Sequence, residues 1–252
     1  MLSAACLVAT AVGASVVSGG PAIAVYALGF WHYLLYWWAF KYGVVTPARF
    51  RRDAVVMKSV AMVGLAVAYL GAPVHRVSAA IVALGFVLNG LAAAALGPVR
   101  TYYGWELGAV SYQQVTRFPY SLVRHPMLVG NLVAHAGMLL NPTFRRDWWP
   151  LAAGHLLLNG GLLLMEAEVT PERRGSASSG QARGLLATIA IAVPVGGTVG
   201  LIATAAGWWT GAVPIAAVAA AAAVYIRTNV PWYVGPPRAV ATPLSSSSRE
   251  AI

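Results

Sequence analysis

Apolar positions in this chain come in long unbroken runs, and polar positions are pushed into the gaps between them. The stretch "AAIVALGFVLNGLAAAALG" at 79–97 has neither the alternation of a half-buried strand nor the one-sided stripe of a soluble helix. A hydrocarbon core of about 30 Å is crossed by about 20 such residues in a helix. A membrane β-barrel needs strict apolar/polar alternation, which these runs lack. The pattern marks segments at 2–17, 22–40, 54–73, 78–97, 126–141, 148–166, 185–206 and 211–226. The first and last are short for a bilayer. The first has no basic residue ahead of its apolar run, so it reads as a retained helix and not as a signal peptide. The predicted fold is an all-α polytopic membrane protein, a bundle of about eight transmembrane helices with an interfacial aromatic segment.

This pattern divides the chain into N-terminal transmembrane helices at 1–97, a polar-rich central region at 98–170, and a Gly/Ser linker at 171–184. C-terminal transmembrane helices at 185–226 and a disordered cytosolic tail at 227–252 follow. The aromatic segment is "RTYYGWELGAVSYQQVTRFPYSLVRH", whose Tyr102, Tyr103, Trp105, Tyr112, Phe118 and Tyr120 suit the headgroup level.

Composition agrees: 59% of residues are hydrophobic and 10% are charged, against about 25% charged in soluble domains. The net charge of +10 raises nucleic acid as a partner, but the basic residues are spread through the loops and form no single basic element. Alternating the segments across a bilayer places Lys41, Arg49, Arg51, Arg52, Arg100, Arg117, Arg124, Arg173, Arg174, Arg183, Arg227, Arg238 and Arg249 on one side. Only Arg76, Arg145 and Arg146 fall on the other, and Lys58 lies within the third segment. By the positive-inside rule the rich side is cytosolic. The expected partners are the bilayer and a lipid substrate, with no nucleic acid and no inferable protein partner. The endoplasmic reticulum and a bacterial inner membrane both fit. Cys6 is the single cysteine, so no intramolecular disulfide or cysteine metal site is available.

Two apolar segments carry a polar stripe. At about 100° per residue, His155, Asn159 and Glu166 share one helix face, and so do Asn131 and His135. The two segments are joined by a short loop and should run antiparallel. Residue numbers at equal depth then sum to a constant. His135 with His155, Asn131 with Asn159, and His125 with Glu166 meet that condition to within one. Polar groups in a bilayer face protein, water or ligand. His135 and His155 read as hydrogen-bonding glue between helices, and two histidines without a third ligand make no zinc site. His125 and Glu166 stand at helix ends beside Arg124 and Glu168, where a water-soluble cofactor can reach. Gly130 and Gly160 would let a ligand or a helix come close.

The stretch "RFPYSLVRHPMLVGN", followed forty residues later by an acidic helix end, resembles the membrane-embedded methyltransferases. That group includes the phosphatidylethanolamine N-methyltransferases and the isoprenylcysteine carboxyl methyltransferases. Arg124-His125-Pro126 with Gly130 is similar to the Arg-His-Pro-x-x-x-Gly signature of that group. Phe118-Pro119-Tyr120, Pro126-Met127 and "RTYYGWELG" look like the phospholipid branch, and the likeness spans about residues 98–170. Three positions depart from the pattern: Met165-Glu166-Ala167-Glu168 replaces adjacent glutamates, Leu128 replaces an aromatic, and Leu96-Gly97-Pro98-Val99 replaces a Gly-x-Gly turn.

The resemblance implies an S-adenosylmethionine-dependent enzyme whose cofactor enters from the cytosol. His125 and Glu166 would be catalytic, with Arg124, Pro126, Gly130 and Glu168 joining them around the cofactor. Tyr102, Tyr103, Arg117 and Tyr120 would meet the lipid, through cation–π contact with a methylated ammonium and ion pairing with a phosphate. No metal is implied. The leading expectation is N-methylation of the ethanolamine headgroup of phospholipids. Methyl transfer to a prenylcysteine carboxylate or a thiol, and a non-enzymatic membrane protein whose polar stripe is glue, are the alternatives.

Overall fold

The computed structural model describes residues 2–18, 22–30, 32–33, 36, 47–104, 109–111 and 113–166. Within them the chain is helical and has no β-strand. Helix α1 spans Leu2–Ser18, α2 Ala22–Gly29, α3 Pro47–Leu70, α4 Arg76–Leu96, the one-turn α5 Pro98–Thr101, α6 Pro126–Met138 and α7 Pro142–Glu166. Helices α3 and α4 are each long and apolar enough to cross a membrane. The segments expected at 185–206 and 211–226, the linker and the tail lie outside the described residues.

Within the described residues hydropathy located the helices but not all of their ends: the segment expected at 22–40 holds α2, which ends at Gly29. Helix α3 starts at Pro47, well before the expected residue 54, and takes Arg49, Arg51, Arg52 and Asp53 into its first turns. Helix α7 starts at Pro142, ahead of the expected 148. Asn141 explains that start: its Oδ1 accepts from the backbone N–H of Thr143 at 3.1 Å and of Phe144 at 3.3 Å, and Pro142 occupies the first position, where no N–H is needed. Its Nδ2 also donates to the Pro73 carbonyl at 2.9 Å, which ties the α6–α7 corner to the α3–α4 corner. Charged residues continue a helix past the apolar boundary at little cost, so apolar length reads membrane limits better than helix limits.

Helices α4 and α6 form the closest pair, because glycines line their contact. A Cβ on Gly85 would stand 2.5 Å from the Ala134 nitrogen and the Gly130 oxygen, and one on Gly130 would stand 2.6 Å from the Gly85 oxygen. Small residues at such a seam let backbones approach where lipid offers no hydrophobic drive for association. At the end away from the 98–125 loop, the Tyr69 hydroxyl donates to Ser78 Oγ at 2.7 Å, and Ser78 Oγ donates to the Gly137 carbonyl at 2.7 Å. Helix α7 lies antiparallel beside α6. Its other side meets the stretch that follows α2, where Phe30 packs against Gly154 so closely that a Cβ there would touch the ring.

Candidate active site

A cavity of about 680 Å³ runs from the 98–125 loop down between α3, α6, α7 and the stretch after α2. Its mouth is built by the turn that ends α4. Gly97 has φ 77°, a conformation that favours glycine, and its N–H returns to the Ala93 carbonyl at 2.9 Å. Pro98 then opens α5, which brings Arg100 and Tyr102 to the cavity wall. Tyr103 is held at φ 56°, which costs a non-glycine residue about 1–2 kcal/mol. Its buried ring is edge-on to Tyr36 at 5.5 Å and 6.1 Å from Phe50, and this packing fixes it there. Burial pushes the Tyr102 hydroxyl up from its ordinary value.

Arg100 donates from Nη2 to Gln113 Oε1 at 2.8 Å, while its buried Nε has no partner among the described residues. Arg124 is exposed at the same mouth, and His125 is the residue that precedes α6. Tyr120 also lines this opening.

Deeper down, the predicted rungs meet. The rings of His135 and His155 stack at 4.5 Å with 12° between their planes, and Asn131 Nδ2 donates to Asn159 Oδ1 at 3.0 Å. A chain of hydrogen bonds runs through them. Asn89 Nδ2 donates to Asn131 Oδ1 at 2.9 Å, and Asn159 Nδ2 donates to the Tyr33 hydroxyl at 2.8 Å. The Tyr33 hydroxyl in turn lies 3.1 Å from His155 Nδ1. Each amide is oriented by the one before it, so three helices and the post-α2 stretch are locked in one register. His32 and Lys58 complete this floor.

Of the residues expected at a site, Tyr102, Tyr103, Tyr120, Arg124 and His125 share the cavity. Pro126 and Gly130 do not line it. They are buried, and the close approach that Gly130 permits is to Gly85 and Asn89 of α4, not to a ligand. Arg117 is also turned away: its guanidinium donates to the Ala94 and Ala95 carbonyls at the end of α4. Glu166 closes α7, but its side chain, like Glu168 as a whole, lies outside the described residues. Arg100, Lys58, His32 and Tyr33 line the cavity in addition to the expected set, and Asn89 stands behind Asn131, to which it donates. Lone polar residues inside apolar runs were the signal for Asn89, His32 and Lys58.

These residues fall in a segment that is similar to a known family. Residues 74–171 match the phospholipid methyltransferase family. The match starts earlier than the likeness read from the sequence motif and takes in all of α4 through α7, hence the glycine seam, the mouth and most of the polar relay. The matched segment covers under half of the chain, and His32, Tyr33 and Lys58, which line the same cavity, precede it. No curated protein and no solved structure matches the chain. Among the described residues no group of three or more His, Cys, Asp or Glu is arranged to hold a metal ion.

Proposed function

We propose that this chain is an S-adenosylmethionine-dependent N-methyltransferase acting on the ethanolamine headgroup of membrane phospholipids, in a multi-pass bundle of about eight helices whose active site faces the cytosol. The observation that carries the reading is the cavity mouth within the matched segment, where Arg100, Arg124 and His125 stand among Tyr102, Tyr103 and Tyr120.

The residues at the mouth fit the cofactor in one testable respect. The buried Arg100 Nε has no protein partner among the described residues, and an anionic oxygen would satisfy it. Arg100 and Arg124 would hold the cofactor carboxylate and the lipid phosphate, since guanidinium groups bind both in forked geometry. The bound cofactor supplies an electrophilic methyl group on a sulfonium. Glu166, with Glu168 beyond it, is assigned to that positive charge. The antiparallel register of α6 and α7, which pairs His135 with His155 and Asn131 with Asn159, supports Glu166 at the level of His125. An ethanolamine nitrogen attacks only when neutral, and His125 is the group at the mouth suited to take its proton. The tyrosine faces then favour the methylated ammonium. Excess Lys and Arg in the mouth-side loops supports the cytosolic orientation.

Expression in a bacterial host that makes no phosphatidylcholine, followed by lipid mass spectrometry, tests the reading. Mono-, di- or trimethylated ethanolamine lipids are expected. Their absence, with calorimetric binding of S-adenosylhomocysteine retained, would move the acceptor elsewhere. Absence of both would reject the enzyme.

A further inference from the structure

Lys58 is a cation inside an apolar helix. It lines the cavity together with Met62, one turn further along α3, while Val63 and Val67 mark the outward face well round the helix from it. A charge within a membrane segment is costly unless it is paired or meets water or a ligand. Among the described residues Lys58 makes no hydrogen bond and no ion pair. The carboxylates of Asp53 and Asp147 are taken by Arg52 and Arg146. Its neighbours on the cavity wall, His32, Tyr33 and Tyr36, carry no negative charge. The side chain is half-buried and keeps accessible surface. A ligand anion in the cavity meets its need.

Depth selects the anion. The bond from Asn141 to Pro73 holds the end of α3 beside the start of α7, so the two helices run in opposite directions. Tyr69 of α3 packs on Phe144 of α7 with ring centroids 5.6 Å apart. Lys58, eleven residues before Tyr69, therefore stands level with His155, eleven residues after Phe144. His155 stacks on His135. His135 lies ten residues beyond His125, about 15 Å along a helix. A lysine side chain spans about 6 Å and turns its head toward water. About 9 Å then separates the level of an extended Lys58 amine from that of His125.

The proposed reaction brings two anions to the cavity, the cofactor carboxylate and the lipid phosphate. A phospholipid of the cytosolic leaflet keeps its phosphate on the hydrocarbon side of its amine. With the amine at His125, the phosphate lies below the mouth, on the Lys58 side. A charged hydrogen bond of about 3 Å and about 5 Å from phosphorus to nitrogen across two carbons fill the interval. We propose that Lys58 binds the phosphodiester of the lipid and leaves Arg100 and Arg124 at the mouth to the cofactor carboxylate. The proposal rests on the reading of this cavity as a phospholipid headgroup site. It gives the chain ahead of the matched segment 74–171 a residue that determines specificity.

Calorimetric titration of the purified full chain in uncharged detergent with dioctanoylphosphatidylmethanol and with dioctanoylglycerol tests it. The first has the phosphodiester, the second lacks it, and neither has an amine. The phosphodiester should bind on the order of 10-fold more tightly in the unmodified chain and in Lys58→Arg. In Lys58→Met that advantage should fall to about twofold, with the affinity for S-adenosylhomocysteine unchanged. Equal binding of the two lipids by the unmodified chain overturns the proposal, as does an advantage that survives in folded Lys58→Met. A loss for S-adenosylhomocysteine as large as that for the phosphodiester also overturns it, because the anion at Lys58 is then the cofactor carboxylate. A measurement without any variant decides where Lys58→Met does not fold: the unmodified chain saturated with S-adenosylhomocysteine should bind the phosphodiester as before, and mutual exclusion overturns the site. Binding that depends on the phosphodiester and on Lys58, in a chain that forms no methylated lipid, supports the site and rejects only the reaction.

Discussion

Replacing Gly85 with alanine puts a methyl group where two helix backbones already touch. Its Cβ would stand 2.5 Å from the Ala134 nitrogen and the Gly130 oxygen and 2.8 Å from the Ala134 Cβ, against 3.4–4 Å for ordinary contact. Helices α4 and α6 must therefore part by about 1 Å. Overpacking costs about 1–3 kcal/mol even when flexible side chains can yield, and here the atoms in the way are mostly backbone, so the upper end applies. The same movement stretches both bonds of Asn89, to the Met127 carbonyl and to Asn131 Oδ1, each 2.9 Å at rest. Losing them adds about 1 kcal/mol apiece. The expected total of about 4–5 kcal/mol corresponds to a fall in Tm of roughly 10 °C for a chain of this size. Gly90, on the same helix, has nothing within 4 Å of its Cβ position. Gly90→Ala should leave Tm unchanged or raise it by the gain in helix propensity, up to about 1 kcal/mol. Intrinsic-fluorescence melts of both variants in one detergent make the comparison. Equal melting temperatures would refute the seam as described.

Arg117→Met should lower stability by about 1–2 kcal/mol, because the α4 carbonyls of Ala94 and Ala95 lose a charged donor. Its KM for lipid should not change; a raised KM at unchanged Tm would return Arg117 to the substrate site. Asn141→Ala removes both the α7 cap and the bond to Pro73, so a loss of about 1–2 kcal/mol in a thermal melt is expected, with methyl transfer retained in the folded fraction. Glu166→Gln should weaken calorimetric binding of the sulfonium cofactor by on the order of 10-fold or more and that of its neutral-sulfur product by less. Equal losses for the two would show that Glu166 does not sense the charge.

Much of the fold was legible because apolar length and helix period are properties of the chain itself. The helices expected at 78–97 and 126–141 are observed at Arg76–Leu96 and Pro126–Met138, with ends displaced by no more than three residues. Larger misses fall at Pro47 and Pro142, where charged turns extend a helix beyond its apolar part, and in the segment expected at 22–40, where α2 ends at Gly29. Asn141-Pro142 was a cap signature in plain view, but it lay inside a stretch read as a loop. Gly130 illustrates a different limit: a glycine on a helix predicts close approach without saying by what. Only the placement of α4 decides that the neighbour is Gly85.

The polar relay marks the boundary between what two helices reveal and what a third adds. Antiparallel numbering was enough to pair Asn131 with Asn159 and His135 with His155, because a short connection fixes the relative depth of neighbouring helices. It could not bring in Asn89 or Tyr33, which lie 42 and 126 residues from their partners in the chain. Nor could it give direction. Asn89 donates to Asn131 Oδ1, Asn131 donates to Asn159 Oδ1, Asn159 donates to the Tyr33 oxygen, and the Tyr33 hydroxyl meets His155 Nδ1. Read from the sequence alone, His135 and His155 are equivalent, and both serve as glue. With the relay in place they differ: His135 turns Nδ1 to the backbone carbonyl of Asn131 on its own helix, whereas His155 turns Nδ1 to the Tyr33 hydroxyl on another segment, so one ring is tied within its helix and the other between segments.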